Sequence, residues 1–270
     1  MGVLRKKLRQ RYQERFRRRA RPWTDEELRA SALVIAPHQD DETLGCGATI
    51  AAKRAAGARV KIVFLTDGAA SHGHLMDAQR LQGLRKQEAL AAAQVLGVAP
   101  ENVHFFGFPD GALANHRPAA AAKLRALVED FKPQQVFLPY HGDMTPDHVA
   151  TGHIFYEAVV PLDQHFRVFE YPVWFWSRWP WAATANRGVK RVVHNSRDAA
   201  KWAWAARFQL QAFACSPEDR ERKRRALAEH KTQMTRVESN PQWSVLGDVA
   251  DGEFLDCFFQ DYELFFPQDV

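Results

Sequence analysis

The chain has 270 residues, is 46% hydrophobic and carries a formal charge of +5, enough for one sizeable core or a core with a small second lobe. No apolar run approaches the roughly 18 residues a spanning helix needs, which excludes an integral helical membrane protein. Cys46, Cys215 and Cys257 form no close pair, which argues against a disulfide framework or a four-cysteine zinc site and for a reducing cytoplasm.

The charge is unevenly placed. Residues 1–22 hold ten Lys/Arg and one acid, Glu14, leaving 27 basic against 31 acidic residues elsewhere. Leu4, Leu8, Tyr12 and Phe16 recur every four residues, so residues 1–30 read as a basic amphipathic arm before a single domain, 31–270. Such a helix either lies on an anionic membrane surface through residues 1–22 or packs its apolar stripe on its own body. No hydrophobic stretch follows it, so it is not expected to be a secretory signal. No nucleic-acid motif accompanies the cations, and nucleic acid is not an expected partner.

From residue 32 strands and helices alternate. The pattern predicts strands at Ala32–Ala36, Arg59–Leu65, Val103–Phe106 and Gln135–Pro139. Helices are predicted at Leu44–Ala56, Asp77–Leu96 and roughly Pro118–Phe131. Thr145 followed by Pro146 is a further helix start. This βαβ order predicts an α/β fold, a mostly parallel sheet covered by helices on both faces. Beyond residue 165 the character changes: Tyr171, Trp174, Phe175, Trp176, Trp179 and Trp181 crowd an aromatic-rich segment near 165–215. Aromatic platforms suit sugar faces or lipid interfaces, but are more often core. Asp198–Phe213 and Pro217–Arg236 read as helices.

The first strand empties into Pro37-His38-Gln39-Asp40-Asp41-Glu42. In open α/β sheets ligands bind beyond the carboxyl ends of the strands. An imidazole beside carboxylates suits zinc, and a spare carboxylate can act as a base. The competing reading is a polar loop with a helix-capping acid. The fourth strand empties into His141-Gly142-Asp143-Met144-Thr145-Pro146-Asp147-His148. Two strand ends of one sheet can therefore bring His38, Asp41 and His148 together, with His141 and Asp143 as alternatives. Three ligands with one open position describe a catalytic site, not a structural one. No Gly-x-Gly-x-x-Gly follows the first strand, so a nucleotide is disfavoured.

At these residues the chain resembles the PIG-L/LmbE-like family of zinc-dependent N-deacetylases. The motifs are His38-Gln39-Asp40-Asp41-Glu42, Leu65-Thr66-Asp67-Gly68, Arg85…Glu88, Phe108-Pro109-Asp110-Gly111, Asp147-His148 and a late segment from Lys223 to Gln233. The resemblance implies a Rossmann-like three-layer sandwich and a zinc ion held by His38, Asp41 and His148. It implies Asp40 as the general base toward water that the zinc activates, and removal of an N-acetyl group from an N-acetylglucosamine-type sugar or glycoconjugate. Arg85, Asp110 and His230 are the substrate-side candidates, and Asp147 and Thr145 the candidates for orientation or oxyanion help. For Arg85 the alternative is an ion pair with Glu88 on one helix face. For His230 it is a cap near a helix end. Two positions depart from the family pattern. Gln39 stands where proline is usual, and Thr145 where many members have a histidine that helps the oxyanion. A threonine hydroxyl donates one hydrogen bond without positive charge, so its help is smaller. His230, Arg85 or His141 is an alternative source. Competing functional readings are a zinc amidase acting on another N-acyl amide, and a non-catalytic membrane-surface scaffold of the same fold.

Overall fold

Ala32–Ala36 forms β1, buried along its whole length. The computed structural model describes residues 2–143, 145–182, 195–198, 200, 203–204, 207 and 210–270. Among these, β1 joins β2 (Val60–Thr66), β3 (Val103–Phe108), β4 (Gln135–Pro139), β5 (Arg167–Tyr171), β6 (Gln211–Ala214) and β7 (Tyr262–Asp269) in one sheet. The order is β3-β2-β1-β4-β5-β7-β6. The first five strands run parallel, β1 pairing with β2 from Ala32↔Val60 and with β4 from Ala32↔Gln135. β7 is antiparallel to β5, and β6 to β7.

The α-helices whose bounds lie among the described residues are α1 (Gly2–Arg19), α2 (Asp25–Arg29), α3 (Asp41–Ala55), α4 (Ala78–Val95), α5 (Arg117–Phe131), α6 (Pro146–Val159), α7 (Pro217–Glu229) and α8 (Lys231–Met234). Successive β1 side chains enter opposite cores, as the strand period of two requires. Val34 packs with Ile50, Ala92 and Leu227 of α3, α4 and α7 on one face. Leu33 and Ile35 pack with Leu124 and Phe155 of α5 and α6 on the other. This is the expected three-layer sandwich with a mostly parallel sheet. The order reverses direction around β1, so the crevice between the ends of β1 and β4 is where a ligand site belongs.

Three expectations change. The helix expected over Pro217–Arg236 breaks at His230, whose φ of −75° and ψ of 61° end α7 before α8. Of Asp198–Phe213, the described residues Asp198, Ala200, Ala203, Trp204 and Arg207 are helical as expected, but Gln211–Phe213 is strand, because its pairing with β7 overrides local propensity. Most of the residues between lie outside the described set. β5, β6 and β7 were not predicted.

The basic stretch does form a helix, and it docks. Phe16 is buried against Trp181 and Tyr262, and Tyr12 packs against Trp181. Arg5 Nη1 donates to the carbonyls of Pro180 and Trp181, and its Nη2 pairs with Glu253. Trp23 then stacks on Phe213 of β6, with ring centroids 3.6 Å apart. Two residues of the four-residue apolar stripe therefore pack on the body, while Leu4 is exposed. The aromatic segment continues that packing. Trp181 meets Trp176, Trp176 meets Phe258, Phe258 meets Phe254, and Phe254 stacks on Trp174. Rings thus run unbroken from α1 to a cavity at the carboxyl end of the sheet.

Candidate metal centre and its cavity

β1 ends at Ala36, and the chain turns through His38 and Asp40 into α3. Asp40 has a φ of 145°, a left-handed conformation that side chains disfavour. Its N–H donates to Glu42 Oε2, 3.1 Å away. This turn puts Asp40 and Asp41 side by side, both buried. Tyr171 holds the turn from below, its hydroxyl donating to the Ile35 carbonyl. A Cβ on Gly45 would stand 2.1 Å from the Tyr171 ring, so only glycine lets the first turn of α3 come this close.

β4 delivers the other half. His148, in the first turn of α6, is fully buried. Its Nδ1 lies 3.0 Å from Asp143 Oδ2. That oxygen also accepts the backbone N–H groups of Val173 and Trp174, while Oδ1 accepts that of Phe175. A carboxylate so placed fixes the proton on Nδ1 and leaves the Nε2 lone pair to point elsewhere. His148 Nε2 is buried without a hydrogen-bond partner, 3.3 Å from Asp41 Oδ2. The same Asp41 oxygen lies 3.2 Å from His38 Nδ1. His38, Asp41 and His148 thus converge on one point, and the orphaned imidazole nitrogen is what a metal ligand looks like. Two nitrogens, one carboxylate oxygen and a spare acid fit zinc.

The electrostatics agree. Burial opposes charge on His148, but Asp41 and Asp143 outweigh it and push its pKa up to about 9. Burial likewise disfavours charge on Asp41, yet His148 and His38 hold its pKa below the usual carboxylate range. Such a pocket wants a cation, whether proton or metal. Asp40 stands apart: burial, then the neighbouring Asp41 charge, push it up to about 7. A divalent cation on Asp41 would draw that value down.

A second group, His38, Asp110 and Asp147, also has metal-compatible spacing. It uses the opposite ring nitrogen, His38 Nε2, 3.1 Å from Asp110 and 3.3 Å from Asp147. Asp147 already accepts the N–H groups of Gly111 and Leu113, and Asp110 that of Ala70. These carboxylates are placed to accept the Nε2 proton and orient His38 with Nδ1 toward Asp41.

Around this point lies a cavity of about 590 Å³. His38, Asp40, Asp41, Arg85, Asp110 and Thr145 line it. Arg85 does not pair with Glu88, which accepts from Thr232 N and Oγ1. Instead Arg85 Nη2 donates to Ser71, whose hydroxyl lies 2.8 Å from His72 Nδ1, and Arg85 Nε is buried without a partner. Thr145 starts α6 as expected, but its hydroxyl makes no cap bond and is buried without a partner. His230 does not line the cavity: it is fully buried, its Nε2 3.1 Å from Glu42 Oε1. His141 is also absent from the lining and half-exposed, its Nδ1 2.7 Å from Glu170.

Gln39, in place of proline, donates to the Thr66 carbonyl and ties the β1 and β2 loops together. Gly68 answers it, because a Cβ there would stand 2.1 Å from Gln39 Oε1. Sequence reading missed the roles of Gln233, which donates to Asp40 Oδ2, and of Asp143 as the partner of His148. Gln233 closes the late motif, and Asp143 precedes a ligand candidate by five residues. Those positions were the available signals.

The family described as GlcNAc-PI de-N-acetylase (PIG-L) matches residues 33–159. A probable N-acetyl-α-D-glucosaminyl L-malate deacetylase 2 of Bacillus cereus is 31% identical over 174 residues, covering 60% of this chain and 74% of the relative. The chain belongs to the PIG-L family. A 1D-myo-inositol 2-acetamido-2-deoxy-α-D-glucopyranoside deacetylase of Mycobacterium sp. strain KMS is 31% identical over 201 residues, 64% of this chain. This PIG-L member spans 60% of the length of that relative. Its fold is similar to the zinc-inhibited form of teicoplanin deacetylase Orf2, with a TM-score of 0.64 at 19% identity over 89% of this chain and 98% of the other. It is also similar to N,N′-diacetylchitobiose deacetylase from Pyrococcus horikoshii, with a TM-score of 0.61 at 18% identity over 88% and 84%. No helix among the described residues is long and apolar enough to cross a membrane.

Proposed function

We propose that this PIG-L family member hydrolyses the N-acyl amide of an amino sugar of the N-acetylglucosamine type, free or within a glycoconjugate. The observation that carries the reading is the buried, unpartnered Nε2 of His148 beside Asp41, with a second carboxylate, Asp40, on the same cavity floor. The names of the mycobacterial and Bacillus relatives point to the same substrate class.

His38 Nδ1, Asp41 and His148 Nε2 would hold the zinc. When bound, zinc polarises the scissile carbonyl and makes water more acidic. The chain's own groups do the rest. Asp40, held through Oδ2 by Gln233, takes the proton of the attacking water and returns it to the departing amine. Asp110 and Asp147 keep His38 in its ligating orientation, and Asp143 does the same for His148. The Thr145 hydroxyl at the cavity edge donates to the oxygen that gains charge, the position where many relatives use histidine. Arg85 and Asp110 offer a donor and an acceptor to sugar hydroxyls. The exposed cations of α1 would offer an anionic surface electrostatic attraction, with Val3 and Leu4 left exposed beside them while Tyr12 and Phe16 are packed on the body.

Elemental analysis should find about one zinc per chain, and the protein should release free amine from N-acetylglucosamine derivatives. His148→Ala should lose both metal and turnover. Full zinc retention in that variant would remove the ligand assignment. Amine release by the variant at the parent rate would remove the mechanism.

A further inference from the structure

A run of hydrogen bonds leads from Arg85 to a segment of the cavity wall far away in sequence. Arg85 Nη2 donates to Ser71 Oγ, that hydroxyl lies 2.8 Å from His72 Nδ1, and His72 Nε2 lies 2.8 Å from the Ser244 carbonyl. Ser71, His72, Arg85 and Ser244 all line the cavity. His72 is buried, its ring stacked on Trp243 with centroids 4.2 Å apart and planes 7° from parallel. Trp243 is anchored in turn, its indole N–H donating to the Thr232 carbonyl.

The partners assign the protons. A carbonyl only accepts, so His72 Nε2 carries hydrogen and donates to Ser244. In a neutral imidazole Nδ1 is then an acceptor, and the Ser71 hydroxyl donates to it. The Ser71 lone pairs are left for Arg85, a pure donor. The neutral ring thus sets the direction of Ser71 and, through it, of a guanidinium whose buried Nε has no protein partner. A charged ring would turn Nδ1 into a second donor toward Ser71 and put another cation beside Arg85. Burial lowers the His72 pKa, the Ser244 carbonyl opposes this, and the charges of Arg85 and His74 add to it. The acids around it are turned elsewhere. Glu88 accepts from Thr232, Asp67 from the N–H groups of Ala69 and Asp110, and Asp248 from Arg236.

We infer that His72 is a positioning residue for substrate binding: through Ser71 it aims Arg85 into the cavity, and through Ser244 and Trp243 it ties that cation to the wall. This rests on the reading of Arg85 as a donor to the sugar, and adds what sets its direction. Only the neutral ring does this, so binding weakens as pH falls through a midpoint below the usual 6.5 of an imidazole.

The test uses the zinc-loaded protein and N-acetylglucosamine. His72→Phe keeps a flat ring on Trp243 and removes both hydrogen bonds, whereas His72→Asn keeps an acceptor close to the Nδ1 position. His72→Phe should raise KM about fivefold, the worth of one hydrogen bond, with kcat and zinc content little changed. His72→Asn should recover most of that loss. The parent's KM should rise on acidification more steeply than that of His72→Phe. Nitrogen-15 spectra of the parent, with His72 assigned by its loss in either variant, should show a neutral Nε2–H imidazole at neutral pH. A charged ring or the Nδ1–H tautomer there overturns the inference, whether or not the variants fold. An unchanged KM in His72→Phe, or a loss carried by kcat, overturns it while leaving the hydrolytic function intact. If none of the proteins releases amine, the hydrolytic reading falls. Calorimetry with N-acetylglucosamine then decides the inference alone: a loss of affinity of about fivefold in His72→Phe upholds it, and equal affinities overturn it.

Discussion

Around His38, Asp41 and His148, most polar side chains are held by two or more partners, and several carboxylates receive backbone N–H groups. Elsewhere in the cavity lining, the side chains of Trp174, Leu246, Val249 and Phe254 are held by packing. The first region descends from two strand ends and their loops; the second comes from segments far apart in sequence, 173–181 and 244–259, braced by α1 through a run of stacked rings. Chemistry demands fixed directions, and hydrogen bonds supply them. Accommodation of a substrate demands volume, and packing supplies it. The two sides should therefore fail differently when altered.

The largest effect is expected from Asp40→Asn, which keeps the side chain's shape and its contact with Gln233 but cannot take a proton. Turnover should fall by about 10²–10⁴-fold in kcat, with zinc content unchanged by elemental analysis. A variant near the parental kcat would place the base elsewhere.

On the other side, Phe16→Ala removes a buried ring from the junction with Trp181 and Tyr262. Losses of this kind cost about 3–5 kcal/mol, and urea unfolding should register one of that order. The folded fraction should retain kcat on an acetylated substrate. An unchanged unfolding midpoint would mean that α1 is dispensable to the body and free for another surface.

The smallest effect lies between the two regions. Arg85→Ala removes a cation whose Nε has no protein partner, so KM should rise about tenfold, as loss of one charged hydrogen bond implies, while kcat changes less. Steady-state kinetics separate the two, and identical constants would mean that Arg85 only supports Ser71.

The same contrast explains what was legible in the sequence. β1 and β4 were placed to the residue because each is a short apolar run buried on both faces, ending in a turn signal. His38, Asp41 and His148 followed, since strand ends of one sheet must share an edge. β5, β6 and β7 escaped because Gln211–Ala214 and Tyr262–Asp269 become strands only by pairing with each other and with β5. The wall near Trp174 escaped for a related reason: no local pattern brings Val249 to Trp174. His230 had two readings, substrate contact from its place in a motif and a cap near a helix end, and it is the second that folding realises, ending α7 and burying the ring on Glu42.

The φ of 145° at Asp40 sets function against robustness. A non-glycine residue held in such a region costs on the order of 1–3 kcal/mol, and burying its carboxylate beside Asp41 adds to that. Asp40→Gly should relieve both and raise the melting temperature while abolishing turnover, a trade seen where activity needs a destabilised site. A screen of random variants for heat tolerance alone would then enrich inactive protein at this codon. Improved variants of this chain should be sought with Asp40 fixed.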